Sequence, residues 1–403
     1  MLLAEKAFCR VYQKVFFIFE CFLDWSEPQL LTGPGAVRKL PALVKEKGVK
    51  KVLIVTDKGL TSLGLPNGLM EELDKAGIGY VVYDGVQPNP SVDNIEEARR
   101  MYVDNMCEGI IAFGGGSPMD CAKLAGARVV KPNQPVLKMR GVMKILKKLP
   151  PFFAVPTTAG TGSETTLAAV VSNPQTHEKN SCNDPSLRPK YAVLDPELTI
   201  GLPPHITSTT GLDALTHAIE AYIGKSNVRS TREYAEKATK LIFENLEMAY
   251  KDGKNIEARN QMLLASYYAG MAFTRAYVGY VHAIAHNLGG QYGIPHGLAN
   301  AVILPVVLEA YGSAVYPQLA KLADIVGITG SSIADKAQKF IAEIYAMNDR
   351  MSIPKGFTQI KEEDIPTIVA RALKEGNPLY PVPVIWDKTQ MTAVVRSLML
   401  NEE

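Results

Sequence analysis

The sequence predicts a parallel α/β domain followed by a mostly helical domain. From about residue 30 to 205, short apolar runs alternate with helical stretches, which is the pattern of a doubly wound parallel sheet. After residue 205, the long segments have helical periodicity and few clusters of β-branched residues. Pro203 and Pro204 mark the boundary, because paired prolines rarely lie within one continuous element. We therefore predict an α/β domain at residues 30–205 and a helical domain at residues 206–403.

Five segments of the first domain are predicted strands, because each is short, apolar and stopped by Gly, Pro, Asp or Thr. They are KVLIVTD (51–57), GYVVYDG (79–85), GIIAFGGG (109–116), FFAVPTT (152–158) and YAVLDP (191–196). Between the first three lie NGLMEELDKAG and VDNIEEARRMYVDN, whose apolar spacing and charged faces are typical of surface helices. Strands that alternate with helices in this way form a parallel sheet.

Residues 1–29 are a predicted amphipathic helical extension. The apolar residues with the spacing of one helical face are Phe8, Val11, Tyr12, Val15, Phe19 and Leu23. The longest uninterrupted apolar run, from Val15 to Phe19, is too short for a signal sequence or a membrane span. We expect the apolar face to pack against the body of the protein or a partner subunit, with attachment to a membrane surface as the alternative.

Composition argues against several classes of partner. The 43 basic and 41 acidic residues nearly cancel, so nucleic acid is not an expected partner. The five cysteines are odd in number and widely spread, without the close pairs of a zinc ribbon or a redox dithiol. This usage favours a reducing compartment, and we expect a cytoplasmic location.

Two loops that follow predicted strands are candidates for binding phosphate. In GGGSPMDCAK (114–123), the glycines let a ligand approach the backbone, and the amides that open the next helix favour an anion. A tight turn without a ligand would explain the same glycines. PTTAGTGSETT (156–166) offers hydroxyl groups to phosphate or ribose, or caps to helices. Both loops are expected at the carboxyl edge of the sheet, where open parallel sheets bind ligands.

Asp57 ends the first strong strand, in IVTDKG. A carboxylate at that position can accept hydrogen bonds from a ribose diol and repels a 2′-phosphate, which favours NAD over NADP. The alternative is that Asp57 only caps the helix that follows.

Histidines are concentrated in the helical domain. His282 and His286 are four residues apart, on one face of a helix, and His296 follows a glycine-rich connector. Asp213 and His217 have the same spacing in GLDALTHAIEAY. Two helices that each present such a pair can converge on one ion, and carboxylate with imidazole suits ferrous iron or zinc. The spacing alone does not decide which three histidines bind.

Together these motifs resemble the iron-containing, or group III, metal-dependent alcohol dehydrogenases. The similar segments are GGGSPMDCAK, PTTAGTGSETT, LDPELTIGLPPHITSTTGLDALTHAIEAY and AIAHNLGGQYGIPHGLANAVILP, from about residue 30 to at least 310. The resemblance implies Asp213, His217, His282 and His296 as metal ligands and places His286 near the nicotinamide. The residues that it implies for cofactor binding are Asp57, Asn89, Gly115, Gly116, Ser117, Asp120, Thr157, Thr161, Thr166 and Lys179.

The fold that the resemblance implies is that of dehydroquinate synthase, in which a Rossmann-like α/β dinucleotide-binding domain precedes a helical domain that binds metal and substrate. The sequence departs from typical members in its longer N-terminal helix, in the tail YPVPVIWDKTQ after Gly376, and at Arg275, Tyr277 and Asn287.

The expected activity is reversible hydride transfer between a small alcohol and NAD, with an aldehyde or ketone as the oxidised product. Iron(II) is the expected metal, with zinc as the alternative, and NADP is the alternative cofactor. We expect a homo-dimer or a higher homo-oligomer. The competing interpretations are an NAD- and metal-dependent lyase or cyclase of the dehydroquinate synthase type, and a non-catalytic nucleotide or metal sensor.

Overall fold

The computed structural model describes residues 3–172 and 179–400. In chain order its strands are β1 (Gln29–Thr32), β2 (Lys51–Val55), β3 (Gly79–Tyr83), β4 (Gly109–Gly114), β5 (Gly141–Val142), β6 (Phe152–Pro156), β7 (Ala168–Ser172), β8 (Lys179–Asn183) and β9 (Tyr191–Leu194). Its α-helices are α1 (Leu3–Glu20), α2 (Leu40–Glu46), α3 (Lys58–Ser62), α4 (Asn67–Ala76), α5 (Val92–Asp104), α6 (Gly116–Val130), α7 (Pro204–Ile223), α8 (Arg229–Lys251), α9 (Ile256–Ala276), α10 (Tyr280–Tyr292), α11 (His296–Tyr311), α12 (Tyr316–Ile325), α13 (Ile333–Arg350), α14 (Ile365–Gly376) and α15 (Lys388–Ser397).

Six strands form one parallel sheet in the order β1-β9-β6-β4-β2-β3. The predicted parallel sheet is confirmed, and β2, β3, β4, β6 and β9 correspond to the five predicted strands. Strand β1 was not predicted; it is an edge strand of four residues whose ends are exposed. A three-stranded sheet, β5-β8-β7, in which β7 and β8 are antiparallel, was also not predicted.

The central strands are apolar without interruption because both of their faces are buried. In β2, Leu53 and Val55 belong to the core on one side of the sheet, and Val52 and Ile54 belong to the core on the other. This division follows from the alternation of side chains along a strand. Helices α5 and α6 contribute to the first core, whereas α2 and α4 contribute to the second.

The chain forms two compact units whose segments alternate along the sequence. The sheet unit comprises Asp24–Leu202 and Lys254–Tyr267, and the helical unit comprises Met1–Leu23, Pro203–Gly253 and Tyr268–Glu403. The prediction placed residues 254–267 in the helical domain. In the structure, two side chains of this segment bond within the sheet unit. The Gly162 N–H donates to Ser266 Oγ (3.2 Å), and the Arg259 guanidinium donates to the Leu202 carbonyl (3.3 Å).

In the helical unit, α7 packs on α8 and α11, and α10 packs on α11 and α14. Every residue of α7 from Gly211 to Ile223 is buried, which explains why this helix is not amphipathic. One stretch of the described chain, His296–Ala314, is long and apolar enough to cross a membrane, but 56% of it is buried inside the protein. A buried core helix has the same composition, so this stretch is weak support for a membrane span.

Helix α1 lies within the predicted extension, but the face that packs on the protein is not the predicted apolar face. Its buried residues are Cys9, Gln13 and Glu20, and the predicted apolar face leaves Phe8 60% and Val15 63% exposed. Of the two partners expected for that apolar face, the body of the protein is therefore excluded, and a partner subunit is not tested by a single chain. The helix packs through polar groups because the C-terminal segment presents backbone carbonyls that need donors. Gln13 Nε2 donates to the carbonyls of residues 378 and 380, and Arg10 Nη2 donates to that of residue 383.

Candidate metal centre and cofactor loops

Three helices of the helical unit bring a carboxylate and three histidines to one point. Asp213 and His217 lie one turn apart on α7, and His282 lies on α10. These three buried residues each offer one ligand atom, and the three atoms lie within 4.8 Å of one another. His296, the first residue of α11, places its Nε2 3.5 Å from Asp213 Oδ1. All four side chains that the resemblance implies as metal ligands are thus brought together.

Two glycines allow the chain to return to this point after α10. Gly293 ends α10 in the left-handed region, with a φ of 71°, where other residues are strained. Gly297 lies at the start of α11, and a Cβ there would come within 2.5 Å of the Thr209 carbonyl oxygen on α7. The close approach of α11 to α7, which carries His296 to Asp213, therefore requires a residue without a side chain.

Glu220 fixes the orientation of His282. This buried carboxylate lies 2.6 Å from His282 Nδ1 and accepts the backbone N–H groups of Gly279 and Val281 at 2.8 Å each. With Nδ1 bonded to a carboxylate, Nε2 is the ring atom that remains for a metal. Burial raises the pKa of Glu220, and the hydrogen bonds from the backbone oppose that rise.

Asn300 lies one helical turn after His296 on α11 and is fully buried. Its Nδ2 donates to Asp213 Oδ1 (2.6 Å) and lies 3.2 Å from His282 Nε2 and 3.1 Å from His296 Nε2. Its Oδ1 is buried without a hydrogen-bond partner in the structure. Asn300 therefore connects three of the four candidate ligands.

The donor set fits a divalent metal ion of the iron or zinc type. Burial, followed by the neighbouring histidines His217, His296 and His286, lowers the pKa of His282, which keeps its imidazole neutral and able to coordinate. His217 is held by ring stacking, with its centroid 4.0 Å from that of Phe273 and 4.6 Å from that of His282. One carboxylate with neutral imidazoles is the chemistry that such ions prefer.

His286 lies beside this cluster and has a carboxylate partner of its own. Its ring stacks on that of His296 with a centroid distance of 5.1 Å, and its Nδ1 lies 2.6 Å from Glu375 Oε1. The Tyr380 hydroxyl donates to the same oxygen (3.0 Å). The side chains of His286 and Glu375 are 31% and 29% exposed, so the pair reaches solvent, unlike His282.

In the sheet unit, the two predicted loops follow β4 and β6, which are neighbours in the sheet. Gly115 is the N-cap of α6, and Gly116 opens that helix. A Cβ on Gly116 would lie 3.1 Å from Thr161 Cγ2, so the loops are in close contact. The Asn89 N–H donates to Ser117 Oγ (3.2 Å), which brings Asn89, another predicted residue, to the same helix end.

Other predicted residues of these loops are occupied by internal hydrogen bonds. Asp120 accepts from the Ser163 hydroxyl (3.2 Å) and the Val170 N–H (3.0 Å). Lys123, which is fully buried, donates to Ser163 Oγ and Thr166 Oγ1, both at 3.0 Å. Burial raises the pKa of Asp120 and lowers that of Lys123. In the structure, Asp120 and Thr166 thus hold the loop after β6 onto α6.

The remaining predicted cofactor residues are distributed as follows. Asp57 caps α3, with Oδ1 accepting the Leu60 N–H (3.0 Å). Thr157 is buried at the end of β6, with its N–H bonded to the Gly114 carbonyl, and Thr161 Oγ1 accepts the Ser163 N–H. Lys179 begins β8, and its side chain lies outside the described part of the structure.

Sequence reasoning missed Glu220, Asn300, Glu375 and Lys123. Two of them carry a detectable signal, because Glu220 lies two helical turns after Asp213 and Asn300 one turn after His296. Both therefore share a helical face with a candidate ligand. Glu375 is 89 residues from His286, and no local spacing connects them.

Comparison with known proteins identifies the family in both units. The family model described as iron-containing alcohol dehydrogenase matches residues 28–196. The model of the C-terminal part of the Fe-containing alcohol dehydrogenase family matches residues 207–399. The 1,3-propanediol dehydrogenase of Klebsiella pneumoniae is 40% identical over 351 residues, which cover 86% of this chain and 90% of that protein.

Solved structures agree with this match. An alcohol dehydrogenase from Oenococcus oeni is 36% identical, with a TM-score of 0.90 and coverage of 93% of this chain and 100% of that one. A sulfoacetaldehyde reductase from Bifidobacterium kashiwanohense, in complex with NAD⁺, is 29% identical, with a TM-score of 0.83 and coverage of 94% and 98%. The predicted class, an alcohol oxidoreductase, is confirmed, and neither the lyase nor the sensor is favoured. The chain belongs to the iron-containing alcohol dehydrogenase family.

Proposed function

We propose that the protein catalyses reversible hydride transfer between a small alcohol and NAD at a site that includes Asp213, His217, His282 and His296. The observation that carries this proposal is the convergence of one buried carboxylate and two buried imidazoles, with Asp213, His217 and His282 offering ligand atoms within 4.8 Å of one another. The family match supports the use of both a metal and NAD. The NAD⁺ complex of the related sulfoacetaldehyde reductase supports NAD as the cofactor.

The metal would be held by Asp213, His217, His282 and His296. Iron(II) is our proposal for the ion, with zinc as the alternative, because both accept this donor set. When bound, such an ion supplies Lewis acidity that lowers the pKa of a substrate hydroxyl. Asp213 contributes the one negative charge of the set. Glu220 holds the His282 imidazole in place, and Asn300 donates a hydrogen bond to Asp213.

We propose that His286 passes the proton of the substrate hydroxyl towards solvent. Its Nδ1 is engaged with Glu375, which leaves Nε2 for proton exchange, and both side chains of the pair are partly exposed. Replacing His286 by alanine is expected to lower kcat by about 10²- to 10⁴-fold and to change the pH profile, with metal content unchanged. His205→Ala, at an exposed histidine of α7, is the control. Full activity with an unaltered pH profile in His286→Ala would remove this role.

For the cofactor, we propose that the loops after β4 and β6 bind the pyrophosphate and that Asp57 binds the adenosine ribose. The residues proposed to contribute are Asp57, Asn89, Gly115, Gly116, Ser117, Asp120, Thr157, Thr161, Thr166 and Lys179. The amides at the start of α6, a helix of 15 residues, support the anion-binding assignment. For Asp120 and Thr166, whose side chains are bonded internally, the contribution is to hold the loop in shape.

Asp57 is expected to determine the preference for NAD. Because its carboxylate repels a 2′-phosphate, Asp57→Gly should raise the ratio of kcat/KM for NADP to that for NAD by at least about tenfold. Asp57→Asn is the matched variant, since asparagine keeps the cap of α3 and removes only the charge. We expect this variant to shift the ratio in the same direction. If both variants kept the wild-type ratio, Asp57 would be only a helix cap.

We also propose that the protein is a cytoplasmic homo-dimer or higher homo-oligomer. Four of its five free cysteines are buried, which supports a reducing location.

The substrate class is tested by NADH absorbance with a panel of small alcohols and their aldehydes, in the presence of iron(II) or zinc. Turnover of several small alcohols supports the proposal, and no turnover with either metal and either cofactor would contradict it.

A further inference from the structure

Helix α1 presents an apolar surface to solvent, and Phe22 extends this surface into the turn after the helix. We call the whole surface the α1 stripe. It consists of Phe8, Val11, Val15, Ile18, Phe19 and Phe22, whose exposed fractions are 60, 62, 63, 54, 39 and 82%. Five of these residues are separated by alternating steps of three and four, from Phe8 to Phe22. Such spacing repeats every seven residues and is the pattern of a seam between two helices in a coiled coil.

The opposite face of α1 is fixed to the protein, so the stripe is held in a defined orientation. Gln13 and Arg10 donate to backbone carbonyls of residues 378–383, and Glu20 is bonded to the Tyr277 hydroxyl. In heptad terms, Gln13 and Glu20 lie directly opposite the seam. The helix therefore resembles one half of a helix pair, with the seam exposed to solvent.

The size of the stripe meets the requirement for a stable dimer. At 60, 39 and 82% exposure, its three phenylalanines present on the order of 350 Å², given about 200 Å² for an aromatic side chain. The two valines and Ile18 bring the total to roughly 600 Å², the upper end for the largest apolar patch of a monomer. Two copies would together bury on the order of 1,200 Å², which is the lower limit of specific protein interfaces.

We propose that the α1 stripe pairs with the α1 stripe of a second copy of this chain. A surface that pairs with itself generates a two-fold symmetric dimer, the commonest oligomer of soluble proteins. The charges argue for this partner over a lipid surface. Among the described residues of α1, the exposed charged ones are Glu5 and Lys14, one of each sign, and the half-buried Lys6 and Arg10 lie against residues 383–385 on the other side of the helix. A helix that binds anionic membranes has a basic rim beside its apolar face. The proposal adds a location to the homo-oligomer proposed above and does not depend on the enzymatic activity.

The test is sedimentation of the full-length, metal-loaded enzyme over a range of concentrations. Val15→Glu places a charge in the centre of the seam and should weaken self-association by at least about 100-fold. If the protein forms a higher oligomer, the variant should have fewer subunits than wild type. Because Val15 is exposed within one chain, folding should be unaffected, and Phe8→Glu is the second variant at an equally exposed position. Met248→Glu, at a half-exposed residue of α8, is the matched control and should behave as wild type.

Cross-linking distinguishes this interface from any other between copies. In a mixture of isotopically light and heavy chains, an amine cross-linker should join Lys14 of one copy to Lys14 of the other, and Val15→Glu should abolish that product. Unchanged sedimentation of both Val15→Glu and Phe8→Glu would overturn the proposal. A second result would also overturn the proposal. In it, wild type binds phosphatidylserine vesicles, Val15→Glu does not, and the two proteins have the same oligomeric state. Turnover of Val15→Glu in the alcohol assay reports separately on the proposed activity.

Discussion

Replacing His282 by alanine is expected to abolish both metal binding and alcohol oxidation. His282 is buried, and its ligand atom lies within 4.8 Å of those of Asp213 and His217, so its loss removes one imidazole from the centre of the set. We expect less than a tenth of the wild-type metal after dialysis and a fall in kcat/KM of at least about 10³-fold, because alcohol oxidation depends on Lewis acidity. Metal content by mass spectrometry and NADH absorbance measure the two effects in one preparation.

The control for this prediction is His205→Ala, which removes an exposed histidine from the first turn of α7. It should keep both metal and turnover. Circular dichroism of each variant shows whether the helices are retained, since His282 lies in a packed interior. A folded His282→Ala enzyme with wild-type metal stoichiometry would exclude His282 from the ligand set.

Replacing Glu220 by glutamine is expected to weaken metal binding without changing the ligands. The Glu220 carboxylate accepts from Gly279, Val281 and His282, and a glutamine would turn an NH₂ group towards donors at one or more of these positions. Loss of such an outer partner typically lowers metal affinity by about 10- to 100-fold. The dissociation constant, measured by titration of the demetallated protein, should rise by that factor, and kcat at saturating metal should recover to within a few-fold of wild type.

Glu236→Gln is the matched control, because Glu236 is a carboxylate of the same unit that accepts a hydrogen bond from Tyr222 (2.8 Å). It should lower stability slightly and leave metal affinity unchanged. If Glu220→Gln lowered the unfolding temperature but kept the wild-type dissociation constant, Glu220 would have a purely structural role at the start of α10.

The parallel sheet could be predicted from the sequence because its central strands are buried on both faces, so hydrophobicity alone marks them. Strand β1 could not, since QLLT is half-exposed at the edge of the sheet and has no distinctive periodicity. For the segment 254–267, the sequence predicts the helix but not the unit to which the helix belongs. Its helical pattern predicts α9 correctly, but periodicity does not tell which unit a helix joins. That depends on contacts between distant residues, such as Ser266 with Gly162.

At the metal centre, the four-residue spacing identified the pairs Asp213 with His217 and His282 with His286. It could not show that His286 bonds to Glu375 whereas His282 bonds to Glu220, because both carboxylates lie far away in sequence. The choice between these histidines came from the family resemblance.

For the N-terminal helix, the sequence predicts the element but not the face through which it packs. Its periodicity located α1, and its apolar face was expected to pack on the body of the protein or on a partner subunit. Within one chain that face is exposed, so the body is not its partner. The body of the protein presents carbonyl groups to the opposite face of the helix, and Gln13 satisfies two of them.

Metal analysis of anaerobically purified protein, combined with alcohol-dependent NAD reduction, tests whether the protein is an alcohol dehydrogenase whose metal is held by Asp213 and the three histidines. We expect one iron or zinc per chain, loss of turnover when a chelator removes it, and recovery when either ion is restored. Undiminished alcohol oxidation by protein that contains less than a tenth of an equivalent of any transition metal would contradict this assignment.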